Sequence, residues 1–457
     1  MREILVILVS LVCIWGLFVL EREPGEQSSK TLWLPLIWCL INGSRPVSVW
    51  LGSSLSSDPS RYAEGTPLDA GIYGVMILAG LLILNRRASQ VWKFVQSNPH
   101  ILLYFAYCAL SISWSDFPYV AAKRWVKLAG DVVMLLVVCT DANRFWAIRR
   151  LFSRVAFVLL TLSVAFILFL PDMGRTYDPG TGITYFNGVT TQKNILGETC
   201  VVTGLASLWL LLTAFEAPRS LHRRRQLLVY GVMVLLAAWM IVKADAMTSL
   251  MAFVLAGAVM ILLAQRWLIT NRQSVHVLVG SAVGLSLFAL FLDAAGALLQ
   301  LLGRTSSFTG RTDIWRGVLA ANTNPLIGTG YESFWLGSRL QFVWDVTGQT
   351  VVQAHNGYLE IYINLGWIGV LFLVAMILFG YKNAVLTFQR DQITGRLSLA
   401  FLAASLIYSF SEAGFRMLTL IWFAFLFAIS GITIHDSAAG AATPDRKSIL
   451  GNIKVIS

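Results

Sequence analysis

Apolar residues recur along the chain in stretches near the roughly 17 to 25 residues that carry a helix across a bilayer. They fall at 3–20, 31–52, 68–85, 100–115, 121–140, 151–170, 195–215, 227–242, 247–265, 277–294, 356–380, 398–413 and 415–434. Membrane barrels show period-two alternation instead. The pattern therefore predicts an all-α polytopic membrane protein with 12–13 transmembrane helices. The second stretch is interrupted by Asn42-Gly43-Ser44-Arg45-Pro46. If it is re-entrant, the count is twelve and the N-terminus lies on the side of the basic loops. One interval breaks the pattern: residues 293–356 are polar, yet carry Phe308, Trp315, Tyr331, Phe334, Trp335, Phe342 and Trp344. Loops of that length are usually functional or disordered, and this aromatic content argues against disorder. This large loop between two late spans is the expected working part.

Composition agrees, with 56% hydrophobic and 13% charged residues and a mean hydropathy of +0.68, far from soluble domains. The net charge of +11 does not point to nucleic acid. Its cations cluster in short loops: Arg86, Arg87 and Lys93; Arg144, Arg149 and Arg150; Arg219 and Arg223 to Arg225; Arg266 and Arg272; Lys382, Arg390 and Arg396. That clustering marks a cytoplasmic face, so 171–194 and 293–356 are expected outside, within a single membrane domain of residues 1–457 that ends in a cytoplasmic tail, 435–457. The five cysteines all lie in apolar stretches without paired spacing, which suits core packing rather than disulfides or metal.

Charges at membrane depth cost at least about 2.5–3.5 kcal/mol on insertion scales, which makes Asp131, Glu198 and Glu412 candidates for function. The plainer expectation pairs them internally, Glu412 with Arg416 one helical turn on. The 171–194 loop adds Arg175 and Lys193, the latter just before a helix start, where free N–H groups favour an anion; contact with lipid headgroups is the alternative. In the long loop, Thr309 or Ser307 is placed to cap a helix through Arg311, Trp315 and Leu319, ended by Pro325. A guanidinium fork suits phosphate oxygens and an indole suits apolar sugar faces, whereas the plainer alternative is an amphipathic interfacial helix. Of the five histidines, His355 alone is expected on that outer face. It precedes a span, where a helix start disfavours a cation, and a general base needs a neutral imidazole. A capping or interface histidine is the other possibility.

Four motifs then stand in order: Gly188-Val189-Thr190-Thr191-Gln192-Lys193-Asn194-Ile195-Leu196-Gly197, Gly310-Arg311-Thr312-Asp313-Ile314-Trp315, Gly328-Thr329-Gly330-Tyr331-Glu332-Ser333-Phe334-Trp335 and His355-Asn356-Gly357-Tyr358-Leu359-Glu360. As an ordered set, over about residues 115–430, they resemble the O-antigen ligase and Wzy-type polymerase superfamily of bacterial envelope glycan assembly. Ser44-Arg45-Pro46-Val47-Ser48 and Lys123-Arg124-Trp125-Val126-Lys127 look like a branch tied to exopolysaccharide production.

The resemblance implies a GT-C-like inverting glycosyltransferase of the bacterial inner membrane, with its active site facing the periplasm and no metal or cofactor. Its donor would be an undecaprenyl-diphosphate-linked glycan, its setting the lipid bilayer, and its further partners a flippase and a chain-length regulator. His355 takes the place of the catalytic base, and Arg311, Lys193 and Arg175 of the diphosphate-binding cations. Lys193 stands where the family often has arginine and lacks the bidentate fork. Trp315, Tyr331 and Trp335 would meet glycan, with Glu360, Glu412 and Arg416 in support. The acceptor is left open between another lipid-linked repeat, as in a polymerase, and lipid A-core, as in a ligase. From another class, a secondary transporter would show paired halves and binding groups at mid-membrane. The proposed chemistry requires Arg311, Lys193 and His355 to converge.

Overall fold

The computed structural model describes residues 2–22, 29–52, 66–177, 182–265, 272–291 and 309–431. The expected tail 435–457, the loop start 293–308 and the capping Ser307 lie outside the described residues. The helices are α1 (Arg2–Glu21), α2 (Trp33–Asn42), α3 (Val47–Trp50), α4 (Pro67–Asn85), α5 (Ala88–Ser97), α6 (Pro99–Leu110), α7 (Pro118–Cys139), α8 (Arg144–Phe169) and the single turn α9 (Pro171–Gly174). A two-stranded antiparallel hairpin follows, β1 (Arg175–Tyr177) with β2 (Thr184–Phe186), Arg175 opposite Phe186. Then come α10 (Lys193–Glu216), α11 (Leu221–Lys243), α12 (Met247–Leu263), α13 (Arg272–Phe291), α14 (Thr309–Ala320), α15 (Gly337–Thr347), α16 (Gly357–Arg390), α17 (Gln392–Tyr408) and α18 (Leu420–Ile429).

The chain is an all-α polytopic membrane protein. Six helices, α1, α4, α8, α10, α11 and α16, are long and apolar enough to cross a membrane. Pro99–Trp114, α12, α13, α17 and α18 are apolar but shorter. Every expected span falls wholly or partly on helix, and 31–52 is divided between α2 and α3. The most enclosed of the six long helices is α10, packed against α8, α11, α12 and α17. In contrast, α1 turns Ile4, Leu5 and Leu8 outward, and α16 turns out Leu371 and Leu378. Outward apolar faces with internally satisfied backbones are what a lipid environment demands.

Three interruptions shape the bundle. The 31–52 stretch is not one span. It breaks after Asn42 because Pro46 cannot continue a helix, and Arg45 anchors the turn through Nε to the Thr190 carbonyl at 3.1 Å and through Nη2 to the Met173 carbonyl. The second break is at Gly366 within α16, where φ is +63°. Its freed amides are answered by the long loop: Trp367 N–H donates to Pro325 O at 2.9 Å and Ile368 N–H to Leu326 O at 3.1 Å. The backbones approach so closely that a Cβ on Gly366 would lie 2.2 Å from the Leu326 carbonyl carbon. The third is the unwound segment 409–419 between α17 and α18.

On one end of this bundle sits the long loop. Its helices α14 and α15 enclose a small core of their own, Ile314, Val318, Phe334, Trp335, Leu340 and Val343, closed by Ile363 of α16. It is fastened to the α6–α7 junction as well: Trp114 Nε1 donates to Ile327 O at 3.2 Å, Ser115 and Ser333 hydroxyls meet at 2.7 Å, and Arg339 pairs with Asp116 at 2.6 Å.

Candidate active site

The loop's own packing brings its two ends together. Arg311 lies in the first turn of α14, and Trp315, one turn on, donates from Nε1 to the Ala354 carbonyl at 2.8 Å. That bond ties α14 to the residue before His355. Asn356 then caps α16, its side chain accepting from the amides of Tyr358 and Leu359, each at 3.0 Å. His355 is thereby held at the helix entrance, in the left-handed region with φ of +48°.

Both side chains reach Glu412, in the unwound 409–419 segment. Arg311 Nη2 lies 2.5 Å from Glu412 Oε1, and His355 Nδ1 lies 3.0 Å from Oε2. Asn194, at the start of α10, donates to Oε1 at 3.0 Å. The segment is positioned by Gly357 N–H donating to Ser409 O at 2.8 Å and by the Thr248 and Ser411 hydroxyls at 2.6 Å. The Glu412 carboxylate is 5% exposed, while the Arg311 and His355 side chains are 19% and 22% exposed, so the carboxylate lies behind two groups that reach the surface. A carboxylate only accepts hydrogen bonds. It therefore places the ring proton on Nδ1 and leaves the lone pair on Nε2, as the orienting acid does in triad chemistry.

Glu412 does not pair with Arg416. Residues 409–419 are not helical, so the one-turn spacing does not apply, and Arg416 Nε lies 3.5 Å from Glu332 Oε2 instead. Glu332, Glu360, Tyr331 and Arg416 line a narrow cleft beside the segment. Glu360 accepts from Trp335 Nε1 at 3.0 Å and from the Ala354 amide at 2.5 Å, bracing the turn that precedes His355. Tyr331 and Trp335 are buried, at 4% and 5% exposure, and present no open ring face. Burial first, then the adjacent Glu332, pushes the Tyr331 phenol well above its usual range.

The other two cations stand apart. Lys193 neighbours Asn194 in the chain, but its ammonium lies 3.8 Å from Asp245 and 4.2 Å from the centre of the Tyr185 ring. Arg175 donates through Nε and Nη2 to the Ile167 carbonyl, at 2.9 and 2.7 Å, with its guanidinium over Phe186. Two of the three side chains that the chemistry needs thus share one carboxylate, and Lys193 sits on the adjoining turn. The four non-glycine residues with positive φ among the described residues are Asp245, Glu332, His355 and Leu418. Each costs about 1–2 kcal/mol, and all lie in these segments, as strain gathered at a functional site would.

Comparison with known proteins points the same way. Residues 232–374 match the family model described as O-antigen ligase. Over 324 residues, 68% of this chain and 69% of the relative, the sequence is 25% identical to the exopolysaccharide production protein ExoQ of Rhizobium meliloti (strain 1021). Both likenesses support a place in the O-antigen ligase and Wzy-type superfamily. The family-model match contains both Arg311 and His355 but neither Asn194 nor Glu412, so the carboxylate that joins them comes from beyond that region. The two likenesses support a polymerase or ligase role in polysaccharide biosynthesis.

Two contributors were not legible as such: Asn194 and Glu332 stand in the sequence only as letters within motifs. Asn194 had one available signal, its position one residue after the candidate cation.

Proposed function

We propose that the protein polymerises undecaprenyl-diphosphate-linked repeat units into exopolysaccharide on the extracytoplasmic side of the bacterial inner membrane. What supports this best is the meeting of Arg311 and His355 on one recessed carboxylate. In the reaction, an acceptor hydroxyl attacks the donor's anomeric carbon and the bond from that carbon to the diphosphate oxygen breaks with inversion. The diphosphate departs with the electron pair. His355 takes the hydroxyl proton on Nε2, Glu412 orients the ring, and Arg311, exchanging some of its contact with Glu412 for phosphate oxygens, stabilises the growing negative charge. Lys193 joins when a diphosphate outcompetes Asp245 for its ammonium, a swing that the exposed position of Asp245 permits.

The ExoQ likeness, spread over most of the chain, favours a polymerase. The family model's description supports a second reading, a ligase passing the glycan to lipid A-core. Proteoliposomes with a lipid-linked repeat, alone and then with lipid A-core, separate them. A product ladder from the repeat alone means polymerase, product only with the second acceptor means ligase, and no product in either case refutes both. His355→Ala is expected to abolish product while donor binding persists, and wild-type yield from it would remove the base assignment.

A further inference from the structure

Among the buried acids that the mechanism does not use are Asp131 of α7 and Glu198 of α10, exposed by 0% and 6%. Both point at the same place from different helices. Asp131 accepts from the Leu418 amide on Oδ2 at 3.0 Å and from Trp38 Nε1 on Oδ1 at 2.8 Å. Glu198 accepts from the Ile421 amide on Oε1 at 3.0 Å. Those amides flank the start of α18, where a helix leaves N–H groups without intrahelical partners. The Thr419 hydroxyl takes a third, from Trp422 at 3.2 Å. A neutral cap would satisfy such groups, whereas a carboxylate forms shorter, stronger bonds to them at the cost of burying charge.

We infer that Asp131 and Glu198 are positioning residues for the transfer reaction: they pin the exit of the 409–419 segment so that Glu412 stays in reach of both Arg311 and His355. The segment's entry is held by Gly357 and Thr248, and Glu412 lies between the two anchorages, six residues before Leu418. With the exit released, the segment drifts, and an ångström of drift is enough to lose a catalytic geometry. Trp38 extends the chain of contacts to α2, next to the first interruption.

The inference rests on the proposed function, and hydrogen-bond arithmetic makes it testable. Glu198 accepts from the Ile421 amide through one oxygen, Oε1, a role that the oxygen of glutamine also fills. Asp131 serves two donors, and asparagine has one oxygen for them. In proteoliposomes scored on folded, monodisperse protein, Glu198→Gln should keep kcat within about threefold, while Glu198→Leu and Asp131→Asn should lose about ten- to a hundredfold, the range for residues that orient others. Donor KM should stay level or fall, because Arg311 is then less held by Glu412. Removing the competing donor completes the test: in a Trp38→Phe background, Asp131→Asn should cost markedly less kcat than it does alone. The inference is overturned if Glu198→Gln is as damaging as Glu198→Leu, if the losses appear in KM rather than kcat, or if the Trp38→Phe background leaves the Asp131→Asn cost unchanged. If the wild type makes no product, the proposed function fails, and if Glu412→Gln is itself harmless, the orienting role of Glu412 fails; if Glu412→Gln is damaging and Asp131→Asn is not, only this inference does.

Discussion

Replacing Glu412 by glutamine tests the centre of the site while nearly preserving its shape. The carboxylate now serves Arg311 and Asn194 on Oε1 and His355 on Oε2. Glutamine keeps one oxygen for the first two, so the helix ends and the segment stay tied. Its amide nitrogen must then face His355 Nδ1, and two donors cannot share that contact. The ring responds by moving its proton to Nε2, the nitrogen that has to accept from the acceptor hydroxyl. Correct protonation of a catalytic base contributes about 10²- to 10⁴-fold, and a wrong-tautomer substitution in a serine protease triad costs about 10⁴. The expected outcome is a fall in kcat of about 10³-fold, with donor binding retained because Arg311 is no longer drawn to a full negative charge. Steady-state transfer in proteoliposomes and equilibrium binding of the lipid-linked donor provide the two readouts. A Glu412→Gln enzyme with kcat within about threefold of the wild type would refute the orienting role. A variant impaired in donor binding alone would move Glu412 to the diphosphate site.

Other consequences are simpler to read. Arg311→Lys keeps the charge but loses the planar fork, so donor KM should rise and kcat fall, each by about tenfold; an unchanged donor titration would take Arg311 out of the diphosphate site. Gly366→Ala places a Cβ 2.2 Å from the Leu326 carbonyl carbon at a φ of +63°. It should destabilise the docked loop by more than the 1–2 kcal/mol or so of left-handed strain alone, seen as a lower melting temperature in detergent. Trp315→Phe deletes the bond to the Ala354 carbonyl, and about 1 kcal/mol of loop stability with it, which hydrogen exchange across 309–320 would report. Chelation with EDTA should leave the transfer rate unchanged under the proposed mechanism, in which Arg311 and Lys193 meet the charge of the leaving diphosphate; a rate that falls on chelation and returns with added metal would refute that assignment.

The class of the protein was legible because lipid imposes a simple rule: long apolar runs become helices, and the runs at 3–20, 68–85, 151–170, 195–215, 227–242 and 356–380 match the six long ones. The helix through Arg311 and Trp315 followed from spacing for the same reason. What hydropathy could not reveal is where apolar sequence fails to remain helical. The 415–434 run reads as one span, yet its helix begins only at Leu420, because Asp131 and Glu198 stabilise backbone amides that no local pattern provides for. The pairing of Glu412 was missed on that account: a helical assumption aims it at Arg416, whereas an unwound segment frees it for partners 101 and 57 residues away. The aromatic loop residues were misleading in a related way. The resemblance makes Tyr331 and Trp335 glycan contacts, but Trp335 is drawn into the loop's own small core and Tyr331 into the core of the bundle.

The three helix interruptions are therefore best understood together. A membrane helix that breaks exposes amides and carbonyls that lipid cannot satisfy, so a break persists only where protein answers it. Here the answers come from neighbouring breaks and loops. Loop carbonyls at Pro325 and Leu326 meet the amides freed at Gly366. The Ser409 carbonyl takes the Gly357 amide at the entrance of the same helix. At the first break, Gly43 abuts the Leu420 side chain that opens α18 and its carbonyl accepts from Thr199. Breaks that satisfy one another must form together, and this mutual dependence fixes a carboxylate, an arginine and a histidine from distant parts of the chain to within hydrogen-bonding distance. A recessed carboxylate facing a partly exposed histidine is thus a product of the fold's discontinuities rather than of its spans. It follows that substitutions at the break glycines Gly43 and Gly366 should depress transfer although neither supplies a side chain to the Arg311–Glu412–His355 cluster.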